Sequence, residues 1–161
     1  GMNTYAYVDS NPLIASDREG LDTIVVRNST MTYYGPTNKP LLSIPIVSGV
    51  PKVRDPRVRG LGPTPPGVYT IEESPAATND KLFCVGKECW YVPYIPQFTT
   101  PNKRCLPPPA GTGTCGIHPA NYGQTAGCTG IPSAKDAEKM RDLIRKFKPS
   151  RKNPLPVLVG K

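Results

Sequence analysis

His118 and Cys128 are the two side chains in this 161-residue sequence best suited to covalent catalysis, and they stand ten residues apart in the stretch GIHPANYGQTAGCTGIPS. A thiol is a weak nucleophile until it loses its proton, and an imidazole within hydrogen-bond reach can accept it. Gly116, Gly123, Gly127 and Gly130 enclose the pair, which predicts a glycine-rich loop around both residues. Small residues beside a nucleophile let the backbone turn sharply, admit a substrate carbonyl and leave N–H groups for an oxyanion. The chemistry such a pair supports is acyl transfer through a thioester, with Cys128 as nucleophile and His118 as general base. By itself the spacing also fits a buried thiol or a half-cystine.

The other four cysteines bear on that choice. In an oxidising compartment four of the five could form two bridges in three connectivities, leaving one thiol. Local pairing would join Cys84 to Cys89 across CVGKEC and Cys105 to Cys115 across CLPPPAGTGTC, with Cys128 left over. A zinc site is the competing use of cysteines, but the chain has one histidine and no CxxC, so no metal is expected.

The elements that must position the pair are short. Twenty-one prolines and fifteen glycines argue against a helical bundle and for strands broken by turns. TIVVRN, Leu41–Ser48, the segment around Val68–Glu73, Glu88–Ile95 and the closing PVLVG all read as strands, with Pro93 marking an edge or a bulge. One helix follows the cysteine: Ser133 is an N-cap, and Ala137, Met140, Leu143, Ile144 and Phe147 form an apolar stripe. Lys139, Arg141, Arg145, Lys146 and Lys148 crowd its other side, either as an anion-binding face or as a solvated one with cations near the helix C-terminus. The fold expected is mainly β with one main helix.

The net charge of +8 is uneven. Residues 1–22 carry one basic and four acidic side chains, and the remainder carries 19 basic and 8 acidic. Such a surface attracts polyanions, whether nucleic acid, anionic membrane or bacterial wall. The longest apolar stretches, such as LLSIPIVSGV, fall far short of a spanning helix, so membrane insertion is not expected.

Two resemblances sharpen these readings. His118 followed by Thr125-Ala126-Gly127-Cys128 resembles the signature of the L,D-transpeptidase (YkuD) family. A second motif agrees: the family's strand, glycine loop and Thr-Pro-x-Gly-x-Phe/Tyr are matched by SIPIVSGV and then Thr64-Pro65-Pro66-Gly67-Val68-Tyr69. The likeness spans about residues 23–161. It implies an L,D-transpeptidase-like β-sandwich or barrel, a cysteine acyl-transfer enzyme acting on peptidoglycan tetrapeptide stems, and no cofactor. Gly127 and Thr125 then belong to the oxyanion and site loop. Tyr122 and Asn121 either line the substrate groove or pack the loop, and Gly116 is expected beside the substrate. His118 needs an acceptor for its other nitrogen, which a backbone carbonyl near Gly116 or a side chain could equally supply. The family commonly has Ile/Val and then Arg after the cysteine, whereas Thr129 and Gly130 stand here, so the usual carboxylate ligand is missing.

The short His-to-Cys spacing looks most like the type VI-delivered effectors of that family. Residues 1–21 separately resemble the closing segment of an Rhs-repeat core, with Tyr5, Tyr7, Asn11, Pro12, Asp17, Gly20 and Leu21 in place and Arg18 where proline is usual. Together they imply a toxin domain over residues 22–161, an Rhs shell and an immunity protein as partners, and action in the target-cell periplasm after type VI secretion. Two other classes compete. A basic Rhs tail could be a nuclease, but the scattered acidic residues and lone histidine offer few metal ligands, so no nucleic-acid partner is expected. A non-catalytic wall-binding module would use Trp90, Tyr91 and Tyr94 at its surface and would not need a Cys128 thiol.

Overall fold

The computed structural model describes residues 21–58, 61–97 and 115–160. Residues 1–20 of the Rhs-like segment 1–21, and Cys105, lie outside the described residues. The first strands, β1 (Thr23–Arg27) and β2 (Thr30–Tyr34), are joined by Asn28 and Ser29, both with positive φ (52° and 61°). That two-residue turn matches the right-handed twist of the strands it connects. The run Leu41–Ser48 is two strands rather than one: β3 (Pro40–Pro45) and β4 (Val47–Ser48). Between them Ile46 turns its N–H to the Ser29 carbonyl and its side chain into the core.

Next come β5 (Gly67–Ile71), β6 (Ala76–Ala77), β7 (Cys84–Val85) and β8 (Glu88–Pro93). The expected strand Glu88–Ile95 also divides, because Tyr94 leaves the ladder before β9 (Ile95–Pro96). The strands β10 (Gly116–Pro119), β11 (Thr129–Ile131) and β12 (Leu155–Val159) complete the set, with helix α1 (Ala134–Phe147) ahead of the last.

Two sheets result, ordered β3-β2-β1-β12-β5-β9 and β4-β11-β10-β8-β6, with β7 paired to β8. The divided runs have a common cause. Proline has no N–H to give a ladder, and Pro45 and Pro93 each end a strand just where the chain crosses between sheets, so β3 and β9 lie in one sheet and β4 and β8 in the other. Pro93 therefore marks a corner. Strand β12, buried along its whole length, lies parallel to β1 and antiparallel to β5 at the middle of the first sheet. Ile24, Met31, Tyr69 and Val157 from that sheet meet Trp90, Val92, Ile117 and Ile131 from the other in one core.

The helix forms as its sequence predicts. Ser133 Oγ accepts the Asp136 N–H, a cap of about 1 kcal/mol. Lys148 in the left-handed region (φ 58°) closes the last turn. Ala137, Met140 and Ile144 are buried and Leu143 and Phe147 partly so, against β3, β8, β10 and β11. Arg141, counted with the basic face, instead grips both Glu88 oxygens at 2.7 and 2.9 Å and pins the helix to β8.

Candidate active site

His118 and Cys128 do not share a loop, as the glycines suggested. His118 lies on β10, and Cys128 immediately precedes β11. These strands run parallel with Ile117 opposite Thr129 and His118 opposite Gly130. Carrying the register back one residue sets Cys128 level with Gly116. Cys128 and His118 therefore lie on neighbouring segments of chain, their Cα atoms roughly 8 Å apart. Parallel pairing needs a crossover, and residues 120–128 supply it as a loop of turns and bends without a helix.

His118 is buried, with 4% of its surface exposed. Its Nδ1 lies 2.6 Å from the Pro119 carbonyl. A carbonyl can only accept, so Nδ1 carries the proton and Nε2 keeps its lone pair. The orienting carbonyl is therefore three residues beyond Gly116. Phe83 covers the ring at 4.5 Å and Tyr91 stands 6.3 Å away. Burial holds the imidazole pKa below its ordinary value of 6.5, against smaller opposing effects of the Pro119 carbonyl and the Asp80 charge. The histidine is neutral at pH 7.

Cys128 is likewise buried, and it is a thiol outside any disulfide. Cys84 and Cys89 are joined as local pairing suggested. Cys115 is disulfide-bonded too, while the Cys105 half of its expected pair falls outside the described residues. Tyr91 stands against both members of the pair: its hydroxyl pKa is pushed up first by burial and then by negative charge at Cys128 and Glu73.

Behind the cysteine is a set of hydroxyls. Thr125 Oγ1 donates to the Cys128 carbonyl at 2.6 Å and accepts the Gly49 N–H at 2.9 Å. Thr64 Oγ1 donates to the Gly127 carbonyl at 2.7 Å. Ser48 Oγ lies 3.1 Å from both the Cys128 carbonyl and Thr64 Oγ1, and Tyr94 donates to Thr129 Oγ1. In a trans peptide the N–H points opposite the carbonyl. With the Gly127 carbonyl drawn toward Thr64, the Cys128 N–H is aimed away from that hydroxyl. Gly127 has φ 110°, which a side chain would resist.

The remaining expected residues separate. Thr125 bonds the Cys128 carbonyl, and Gly127 directly precedes Cys128. Asn121 and Tyr122 lie in the crossover and are exposed, Tyr122 by 64%. Gly116 is buried beneath Tyr91, whose hydroxyl would be 2.8 Å from any Cβ placed there. At Gly130, where the resemblance led to an expectation of arginine, a Cβ would meet Ala120 at 2.5 Å and Thr125 at 2.7 Å. No side chain fits, so the missing arginine reflects a filled interior. Of the three aromatics named for a wall-binding module, Trp90 and Tyr94 are core residues, 1% and 3% exposed, and Tyr91 is partly buried. Sequence reasoning did not reach Phe83, the place of Tyr91 beside His118, or the hydroxyl roles of Ser48 and Thr64. Thr64 alone had a signal, the Thr-Pro-x-Gly motif.

Comparison with known proteins agrees with this arrangement. The model of the YkuD family, the L,D-transpeptidase catalytic domain, matches residues 22–158. Three solved structures are similar. The catalytic domain of the E. faecium L,D-transpeptidase is 20% identical over 90% of this chain and 99% of its own, with a TM-score of 0.46. An L,D-transpeptidase from Mycobacterium tuberculosis H37Rv is 16% identical over 88% of this chain and 57% of its own, with a TM-score of 0.50. The Ldtfm–avibactam carbamoyl enzyme is 20% identical over 87% of this chain, with a TM-score of 0.49, and this chain spans 49% of its length. No curated protein matches the chain. At these identities the structural likeness is one of fold.

Proposed function

Because the chain belongs to the family of L,D-transpeptidase catalytic domains, we propose that it acts on peptidoglycan tetrapeptide stems by cysteine acyl transfer. The observation that carries this reading is the 2.6 Å approach of His118 Nδ1 to the Pro119 carbonyl. With Nδ1–H held by the Pro119 carbonyl, Nε2 is the acceptor beside the strand that follows Cys128. Nε2 takes the thiol proton, and the thiolate attacks the carbonyl of the third stem residue. The Cys128 N–H faces the resulting oxyanion; such a donor, fixed in advance, is worth about 3 kcal/mol of barrier. Collapse breaks the bond to the terminal D-alanine, whose amine receives the proton from His118, leaving a thioester on Cys128. Water then releases a tripeptide (L,D-carboxypeptidase action), or a D-amino acid amine takes the acyl group in exchange.

We read the chain further as an antibacterial toxin domain. The Rhs-like residues 1–21 and the short His-to-Cys spacing support delivery by type VI secretion into a rival's periplasm, with an immunity protein protecting the producer. The disulfides suit that oxidising destination. Mass spectrometry of muropeptides from sacculi treated with the protein tests the chemistry. Tetrapeptides should become tripeptides or D-amino-acid-exchanged stems, and Cys128→Ala should leave them intact. Unchanged muropeptides with folded wild-type protein and added D-amino acid would refute the enzyme.

A further inference from the structure

Between β4 and β5 the sequence repeats itself. Val50-Pro51-Lys52-Val53-Arg54 is followed by Asp55-Pro56-Arg57-Val58-Arg59, two runs of x-Pro-(Lys/Arg)-Val-Arg. Arg59 lies outside the described residues, and the rest folds alike in both copies. Each proline stands second in a four-residue turn, where its fixed φ suits the backbone. The Val53 N–H closes the first turn on the Val50 carbonyl at 3.0 Å, and the Val58 N–H closes the second on the Asp55 carbonyl at 3.2 Å. The third position is a cation in both, Lys52 and Arg57. Lys52 sits there at φ 74°, a left-handed conformation that glycine would adopt with less strain. A lysine kept in a strained position points to a use for its charge.

The arm built by these turns is fastened to the chain that follows it. The Val50 N–H donates to the Leu61 carbonyl at 2.7 Å, and the Gly62 N–H to the Val58 carbonyl at 2.8 Å. Gly62 packs so closely on Asp55 and Pro56 that no Cβ fits between them. A wall fixed in this way loses little freedom when a ligand binds.

The arm forms one side of a cleft of about 910 Å³, with Val26, Ile46 and Val159 as an apolar floor. Lys52, Arg54 and Arg57 stand exposed along its rim. The one carboxylate in the lining, Asp55, is engaged by Arg57 at 3.0 Å. Lys52 and Arg54 have no carboxylate partner among the described residues. None of Cys128, His118, Phe83 and Tyr91 lines the cleft, so its ligand is not the acyl donor.

The lining also discriminates among anions. It holds no aromatic residue among those described, so neither a nucleobase nor a sugar ring finds a face to stack on. A flat lipid surface does not fill a concave floor, and a bare phosphate chain makes no use of an apolar one. A peptide that mixes acidic and apolar side chains uses both parts, with its carboxylates on the rim and its apolar groups below.

We propose that this cleft is a docking site for an acidic, partly apolar segment of a partner protein, held by Lys52 and Arg54. The inference stands apart from the acyl-transfer reading, since neither Cys128 nor His118 takes part.

The test is selection of a random heptapeptide library displayed on phage against the folded protein, then calorimetry with the enriched peptides. Those peptides should carry carboxylates interspersed with valine, leucine or isoleucine. Lys52→Glu and Arg54→Glu together should weaken their binding at least about 10-fold, the scale of one lost charge-assisted hydrogen bond. Amidating the peptide carboxylates should weaken binding to the wild-type protein by a similar factor. Arg151→Glu with Lys152→Glu makes the same change in net charge at exposed positions ahead of Leu155. Strand β12 puts roughly 13 Å between that end and Val159 in the cleft, beyond the screening length of physiological salt. Affinity in this control should stay within about 2-fold of wild type. Lys52 and Arg54 are exposed, and circular dichroism checks the fold; Arg54→Gln is a milder second variant that should show part of the loss. No enrichment of acidic peptides, equal affinity in the Lys52 and Arg54 reversal, or an equal loss in the control would each overturn the proposal. So would inorganic polyphosphate binding more tightly than the best peptide and weakening in the same variant, which would make the cleft a phosphate site.

Discussion

The two sides of the candidate site are built from opposite materials. Cys128 is backed by hydroxyls that seize the carbonyls on either side of it, from Ser48, Thr64 and Thr125. His118 is held by one backbone carbonyl and covered by the Phe83 ring. The polar side fixes where the backbone points, because each buried carbonyl must find a donor. The aromatic side fixes the protonation state, because an apolar cover penalises the imidazolium. An oxyanion site requires fixed direction and a general base requires a neutral ring, so each wall suits the group it holds.

The comparison breaks most severely at Thr125. Thr125→Val keeps the shape but removes the donor to the Cys128 carbonyl and the acceptor for the buried Gly49 N–H. We expect turnover of tetrapeptide stems to fall about 100-fold, the effect of losing a fixed oxyanion donor. Leaving a buried group unsatisfied should also cost about 1–3 kcal/mol of stability. Stopped assays of tripeptide release and thermal melts measure the two. A large stability loss with unchanged turnover would show that the hydroxyls support the fold without aiming the Cys128 N–H.

The same division explains what could be read from the sequence. His118, Cys128, Thr125 and Gly127 were legible because reactive types and tight turns leave local marks, and α1 because its stripe and cap are local too. The hydroxyl wall was not. Ser48 meets Cys128 across 80 positions of chain and Thr64 meets Gly127 across 63, and one serine or threonine looks like any other until the sheet brings it there. Phe83 and Tyr91 were hidden for the same reason, although Tyr91 was noticed as a surface aromatic. The strands under the pair, β10 and β11, were masked by their glycines, which read as loop. Gly116 and Gly130 are glycine because Tyr91, Ala120 and Thr125 fill the space above them.

A milder break is expected at Phe83. Phe83→Ala admits water to His118, relieves the main cause of its lowered pKa, and lets that pKa climb toward 6.5. The general base must be neutral, so wild-type activity should hold as pH falls to the depressed value. In the variant the acid limb of the pH–rate profile should begin at a higher pH. Stability carries the same sign. The unfolded chain protonates His118 first, so wild type loses stability as pH drops below 6.5 and continues to lose it until the folded pKa is reached. The variant should show less of this dependence, on top of a loss of about 1–2 kcal/mol for a half-buried ring. An unmoved acid limb would mean that Phe83 is packing alone.

The smallest effect should come from the tether that holds the aromatic wall in place. The Cys84–Cys89 bridge closes the β7–β8 hairpin directly after Phe83, and Tyr91 lies two residues beyond Cys89 on β8. Replacing both cysteines with serine leaves β8 paired to β10, so Tyr91 keeps its place over Gly116. Phe83 keeps only its packing. The closed loop is short, which limits the stability loss to about 2 kcal/mol. If the bridge acts through Phe83, the double variant should reproduce the Phe83→Ala shift of the acid limb in part, and Phe83→Ala made in that background should add little beyond it. Fully additive shifts would place the disulfide outside the aromatic wall. The site would then be two independent halves, the histidine half held by the phenyl ring and the Pro119 carbonyl without help from the hairpin.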